Sequence, residues 1–596
     1  LRILAILGGL LAGLVVVLAA GAYMLLRPQA MTAQLSDAVQ AATGYTLTVG
    51  GRPEYRLWPE PAISYPKVTL EASKTVAGGA PLTAERLVIA TSFSDFLTRN
   101  LRPKSIEAQG ARFNLLIDNE GKANWPDKPM VLPVPLAIRD GTLAFLDERT
   151  GVTFVASGLN ARIATGESGE DLQSFGEMVW RKQPVRYTLQ LKSVARLMAD
   201  GSPLSLTANG PLADFYFDGR AGLAKGLALA GQISVNSDDL RGLARWLGGD
   251  IEPGNGFGSF TLAGAIDTAG RKTKITRATV LLDDTTAHGT LSLDVSGRIP
   301  VVAGDLVADS VDLATYLGEG GRPAENWSEA PFALGPLKAF DLALDLACEV
   351  ASYGELELRD IRTRITQNGG TLRVTIPQMR AAGGPATATV EIDASRRPPR
   401  FFAMFNGSGI AAQPFLRHVL GFGALTGPAN ISAVLNGEGA SQAEMIATLK
   451  GTASITVTNG SIERVEPSAL LSRVSTQVVE GWLGERATPF KALGASFAIA
   501  DGIASLSSMS YMDGQISMAM AGEADLLRRA VSFRATPRLL ARDGASQAWP
   551  VAIKVEGPWN KPKLFPDVAG LPDNPEEGYR KLKSMGVPAL QSIEQN

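Results

Sequence analysis

Two patterns of apolar side chains divide this sequence. From Ile3 to Leu26 no charged residue interrupts the run, and Arg2 and Arg27 close it. As a helix the run exceeds the ~30 Å hydrocarbon core of a bilayer, so it predicts a transmembrane anchor. Ala19-Ala20-Gly21-Ala22 offers the small residues of a cleaved signal peptide. The apolar run, however, continues through Tyr23-Met24-Leu25-Leu26, beyond the ~7–15 residues of an ordinary signal core. Past Arg27 the period changes to two. Tyr187, Leu189 and Leu191 alternate with Thr188, Gln190 and Lys192, and Phe340, Leu342, Leu344 and Leu346 alternate with Asp341, Ala343, Asp345 and Ala347. Leu291, Leu293 and Val295, and then Leu372, Val374 and Ile376, repeat the pattern. Each is a strand with one apolar face. Asn459-Gly460 and Asp501-Gly502 sit between such runs, where positive φ suits a tight hairpin turn. Short connections and clean alternation predict an antiparallel sheet, since parallel strands need long crossovers.

Helical periodicity is sparse. Thr32 to Ala42, with Leu35, Val39 and Ala42 on one side and Gly44 as a stop, predicts a short helix. Ser237 is placed to cap a helix carrying Leu240, Leu243 and Leu247, and Ser310 to Gly318 repeats its Ser, Asp, Leu and Leu-Gly arrangement. Pro467 to Leu483, with Leu471, Val474, Val478 and Trp482 as a stripe, predicts a longer helix packed over sheet. A sheet with one apolar face must hide it, by packing on a second sheet or by curling, and must protect its edges.

Composition narrows the function classes. Glycine (63) and proline (35) punctuate strands, while 45% apolar and 19% charged residues exclude a disordered chain. A net charge of −2 gives no nucleic-acid surface. A single cysteine, Cys348, allows no internal disulfide, and His288 and His418 stand far apart with no HExxH. Gly270-Arg271-Lys272-Thr273 lacks the glycine before the lysine and the earlier glycine of a phosphate loop, and reads as a charged turn. No nucleophile elbow is present. No cofactor, metal site or enzymatic activity is expected.

The motifs, taken in order, resemble the AsmA family of bacterial envelope proteins. An apolar N-terminal run leads into Ala41-Ala42-Thr43-Gly44-Tyr45 and then Trp58-Pro59-Glu60-Pro61. The second half carries Gly427 to Gly439, Leu449-Lys450-Gly451, Thr458-Asn459-Gly460-Ser461-Ile462 and Phe497-Ala498-Ile499-Ala500-Asp501-Gly502. Gly522-Glu523-Ala524-Asp525-Leu526, Trp549-Pro550-Val551 and Gly557-Pro558-Trp559-Asn560-Lys561-Pro562 fit the closing strands.

That resemblance implies an inner-membrane anchor, a body in the periplasm and a role in outer-membrane biogenesis, with no catalytic residue to carry over. Larger relatives form long curled β-sheets with an apolar groove proposed to conduct phospholipid, and their start is similar to that of chorein-type lipid bridges. The expected fold is therefore mainly β: an N-terminal transmembrane helix followed by an elongated, curled antiparallel β-sheet with a few short packing helices. The expected segments are an anchor (1–27), a chorein-like region (28–150), a central repeated region (151–400), an AsmA-like C-terminal region (401–566) and a tail (567–596). Shielding a sixteen-carbon chain from water is worth about 13 kcal/mol at ~0.8 kcal/mol per methylene, so a lipid path needs continuous apolar lining. Leu189, Leu191, Phe340, Leu342, Leu344, Leu346, Leu372 and Val374 are the groove candidates, and Ile3 and Leu26 bound the anchor. The same alternation fits a sealed core. It fits equally a scaffold that recruits envelope proteins instead of transporting phospholipid.

Overall fold

The structure is a computed structural model. It describes residues 28–72, 79–98, 102–125, 131–249, 256–317, 327–338, 340–420, 423–463, 479–480, 487–514, 516–540, 546–548, 551–559, 561–568, 576–577 and 580. Two compact units emerge: Leu1–Leu247 with Ser259–Ala278, and Gly248–Gly258 with Thr279–Asn596.

In the first unit, helix Pro28–Thr43 leads into the edge strand Tyr45–Val49. Leu35 and Val39 of the helix pack on Leu47, Ile63, Tyr65, Val68 and Leu70. The Ser36 hydroxyl donates to the Leu47 carbonyl at 3.0 Å, satisfying an acceptor on an otherwise open edge. Tyr45–Val49 and Glu54–Arg56 both pair with Ala62–Ala72, which pairs in turn with Leu82–Thr91. From Leu136–Asp147 to Phe260–Ala269 each strand pairs antiparallel with the next. Helix Leu240–Leu247 follows a strand end, and Asp239 rather than Ser237 caps it, accepting from the Gly242 N–H at 2.8 Å. The Ser237 hydroxyl donates instead to the Leu212 carbonyl at 2.7 Å. In the second unit Asp312, two residues ahead of the short helix Ala314–Leu317, accepts from that helix's first N–H, Ala314, at 3.0 Å.

The second unit runs from Thr285–Asp294 to Lys563–Pro566. Its strands are antiparallel neighbours apart from Val301–Asp312 and Asp341–Tyr353, which pair in parallel. In the first unit Leu136–Asp147 likewise pairs in parallel with Pro103–Gln109 and Arg112–Ile117. These three pairings depart from the antiparallel expectation. Parallel neighbours cannot be joined by a tight hairpin turn, and in the second unit 28 residues separate Asp312 from Asp341.

Two turn expectations part company. Asp501-Gly502 is a hairpin turn with φ of 49° and 74° between Thr488–Ala500 and Ile503–Met512. Asn459-Gly460 lies inside strand Lys450–Ile462. There Asn459 takes a φ of 51°, and a Cβ on Gly460 would stand 2.4 Å from the Thr426 carbonyl oxygen. The glycine serves a close backbone approach within the sheet. Most of the helix expected over Pro467–Leu483 lies outside the described residues, and its described part, Val479–Glu480, is a short strand against Lys563 and Leu564.

The expected transmembrane helix requires a correction. Among the described residues no helix is long and apolar enough to cross a membrane. Pro28–Thr43 has 16 residues, about 24 Å of helix against a ~30 Å core, and it carries Asp37, Gln34 and Gln40. Ile3 and Leu26, the bounds of the expected anchor, lie outside the described residues. The fold class that stands is mainly β-sheet with short helices.

Candidate functional site

The second unit carries a broad apolar face whose rows follow from register. Leu344 stands opposite Ile365, Ile365 opposite Val374, Val374 opposite Val390, Val390 opposite Ala403 and Ala403 opposite Leu435. Directly opposed residues share a face, so at ~4.8 Å per strand this row extends about 24 Å across the sheet. One row further, toward the start of Asp341–Tyr353 and the end of Leu356–Asn368, lie Leu342, Gln367, Leu372, Ile392 and Phe401. The reverse side of the same strands is charged. Arg364 Nε donates to Asp345 Oδ1 at 2.7 Å, and Arg373 Nε to Glu391 Oε2 at 2.9 Å.

One end of this face is sealed. Helix Ala412–Leu420, inserted between the paired strands Arg400–Ala411 and Pro428–Glu438, lays Phe415 and Leu416 onto the sheet. The Phe415 ring stacks on Phe405 with centroids 4.9 Å apart. Cys348, Ile361, Met379, Ile410, Val457 and Tyr511 are buried in the same cluster. Burial pushes the Cys348 thiol pKa up, and its Sγ–H donates to the Val350 carbonyl at 3.1 Å. The Tyr511 phenol is raised likewise, first by burial and then by the Asp513 carboxylate that accepts its hydrogen bond.

At the other end the segment Trp327–Lys338 crosses the strand termini. The Trp327 indole N–H donates to the Leu526 carbonyl at 2.8 Å, beneath the Arg529 guanidinium 4.2 Å from the ring centroid. The Phe332 N–H donates to Ala440, and the Phe332 ring packs 4.8 Å from that of Phe401. Phe401 and Phe405 are four residues apart on one strand, about 13 Å at ~3.3 Å per residue. The row of Leu344, Val374 and Val390 runs between these two aromatic closures. Val390 is 44% exposed there, and Leu293, on the same face by register, is 40% exposed.

The groove candidates fall into three groups. Leu342, Leu344, Leu346, Leu372 and Val374 are half-buried on this one face of the second unit. Phe340 precedes the strand, and its carbonyl accepts from Gln367 Nε2 at 2.7 Å. That bond satisfies a polar side chain only 3% exposed in the middle of an apolar row. No pattern in the sequence marked Gln367, Phe332 or Phe415 as part of this site. Leu189 and Leu191 belong to the first unit, where Leu189 opposes Leu206 and Leu191, 5% exposed, opposes Leu204. Among the described residues no group of three or more His, Cys, Asp or Glu side chains could hold a metal ion.

The profile of the AsmA family matches residues 1–129 and 288–509. The chain belongs to the AsmA family. Both matched segments include described strands, and the second contains the apolar row, helix Ala412–Leu420 and the crossing segment. Family membership gives a general envelope-protein or lipid-related role. Comparison of the sequence with curated proteins, and of the structure with solved ones, gives no match. The expected single-pass inner-membrane topology, and the membrane-anchored phospholipid conduit built on it, are not retained. Both require a spanning helix, and among the described residues none is long and apolar enough.

Proposed function

We propose that this AsmA-family chain is a non-enzymatic, non-transporting envelope scaffold that recruits or regulates outer-membrane assembly proteins. The observation that carries the reading is the half-exposed apolar row between the Phe405–Phe415 and Phe332–Phe401 closures. Contiguous exposed apolar surface rimmed by polar residues is the usual mark of an interaction site. Val390, 44% exposed among the described residues, would gain burial from a bound partner. The charged reverse face, with its Asp345–Arg364 and Arg373–Glu391 pairs, gives the scaffold a solvated side that does not compete.

The test is photo-crosslinking in the full chain, in intact cells. A crosslinker at Leu344 or Val390 is expected to capture an outer-membrane assembly protein, identified by mass spectrometry, while one at Asp345 or Arg373 captures none. Leu344→Asp should abolish that capture and leave the circular dichroism spectrum unchanged. Capture of phospholipid alone at Leu344 and Val390 would overturn the scaffold and give the face an acyl-chain ligand.

A further inference from the structure

The outer face of the first unit holds a different kind of surface. Phe175 is 53% exposed on strand Leu172–Trp180 and Tyr216 is 44% exposed on Asp214–Gly222, whose opposite faces supply the buried Ser174 and Phe217, while Gln183–Leu191 between them buries Val185 and Leu191. Register puts both rings on one side in one row: Phe175 opposes Thr188, Thr188 opposes Thr207, and Thr207 opposes Tyr216. Three strand spacings separate the rings, about 14 Å at ~4.8 Å each. Two threonines, with no bulky side chain, lie between them.

Polar, planar side chains fill the row on either side. On one flank Gln173 opposes Gln190, Gln190 opposes Ser205, Ser205 opposes Asp218 and Asp218 opposes Gln232. On the other, Asn160 opposes Glu177, Glu177 opposes Arg186 and Arg186 opposes Asn209. Gln173, Gln190 and Gln232 are exposed and make no side-chain hydrogen bond among the described residues, so their amide donors and acceptors face solvent unspent. Beside Phe175 the sheet dips into a shallow recess of about 350 Å³ lined by Asn160, Phe175, Glu177, Arg186, Tyr187 and Thr188. Charge on the platform is balanced, with Arg162, Arg186 and Arg220 against Glu177, Asp214 and Asp218.

We propose that this face is a binding platform for an uncharged glycan chain. Each ring presents a π-face with negative electrostatic potential, which attracts the partly positive C–H hydrogens on the flat side of a hexose. Amides and carboxylates beside the rings pair with ring-edge hydroxyls, which both donate and accept. Two stacking points some 14 Å apart fit a short run of sugars lying across the strands, with the threonines passing beneath the middle of the run. A nucleic acid or an acidic polymer would demand a clear excess of positive charge, which this platform lacks. A protein partner would require a continuous apolar patch, and here the two rings stand apart among polar groups.

The experiment is calorimetric titration of the full chain with two probes, the tetrasaccharides of N-acetylglucosamine and of β-1,4-linked glucose. At least one should bind in the millimolar range or tighter. Phe175→Ala and Tyr216→Ala should each weaken binding about tenfold at an unchanged melting temperature, and Phe175→Trp should restore or strengthen it. Gln190→Ala, which leaves both rings in place, tests the polar flank and should weaken binding severalfold. The proposal fails if neither tetrasaccharide binds, if the alanine variants bind as well as the parent, or if a sulfated oligosaccharide is preferred over both probes.

Discussion

One end of a strand in the second unit and the middle of the same strand behave differently. On Arg400–Ala411 the apolar-face residue Ile410 has no exposed surface, and Phe405 is stacked under Phe415. A few residues away Ala403 belongs to a row in which Val390 keeps 44% of its surface. Apolar residues recur at every second position through both places, from Phe401 to Ala403 and Phe405. What differs is the cover: helix Ala412–Leu420 folds over one end, while among the described residues Val390 in the middle row stays 44% exposed. The comparison teaches that period-two patterning specifies which face is apolar and leaves open whether that face is closed.

The largest expected effect separates the closed end from the middle row by stability. Phe415→Ala removes a buried ring from the closure and is expected to cost about 3–5 kcal/mol, whereas Val390→Ala, already half in solvent, should cost less than about 1 kcal/mol. Urea denaturation of each variant, followed by far-ultraviolet circular dichroism, measures both. Equal costs would show that the middle row is closed in solution.

A chemical contrast comes next. Cys348 is the only cysteine and sits 5% exposed in the sealed cluster, with burial raising its thiol pKa. In the native protein it should react with a maleimide about 100-fold more slowly than a cysteine introduced by Val390→Cys in a Cys348→Ser background. Stopped-flow or mass-spectrometric labelling rates report this directly, and comparable rates would erase the distinction between the sealed cluster and the middle row.

The smallest effect is expected on the reverse face of the same strands. The hydrogen bond from Arg364 holds the Asp345 carboxyl pKa below its ordinary value. A depressed folded-state pKa stabilises above the unfolded value of about 3.9, and that contribution is lost as pH falls through the folded value. Because this pair is solvent-exposed, Asp345→Asn should shift the melting temperature at pH 7 by no more than about 1 °C. A larger shift that disappears on acidification would mean that the charged face, and not only the apolar one, holds the sheet together.

Much of this was legible in the residues. Alternation at Tyr187 to Leu191 and Leu342 to Leu346 gave strands with the expected faces, since a pleated strand turns successive side chains to opposite sides regardless of its neighbours. Asp501-Gly502 was readable as a turn because both residues tolerate positive φ locally. Asn459-Gly460 has the same two-residue chemistry and was misread. Its glycine is required by the Thr426 carbonyl of a neighbouring strand, a contact that no local pattern encodes. The parallel pairing of Val301–Asp312 with Asp341–Tyr353 was equally hidden, because it depends on where the intervening segment travels. So was the role of Gln367, a polar residue kept in an apolar row by one bond to the Phe340 carbonyl.

By itself, then, the sequence determined the strands, their apolar and polar faces, the short helices Pro28–Thr43 and Leu240–Leu247 and the order of motifs that places the chain in the AsmA family. Those properties depend on residues within a few positions of one another, or on their succession. Only the tertiary structure decided that Phe415 covers Phe405, that Phe332 meets Phe401 and that the row between them stays half in water. It also decided that Phe175 and Tyr216 share a row on the outer face of the first unit. Closure and juxtaposition depend on strand register and on the course of the connecting segments, which bring together side chains tens of residues apart in the chain.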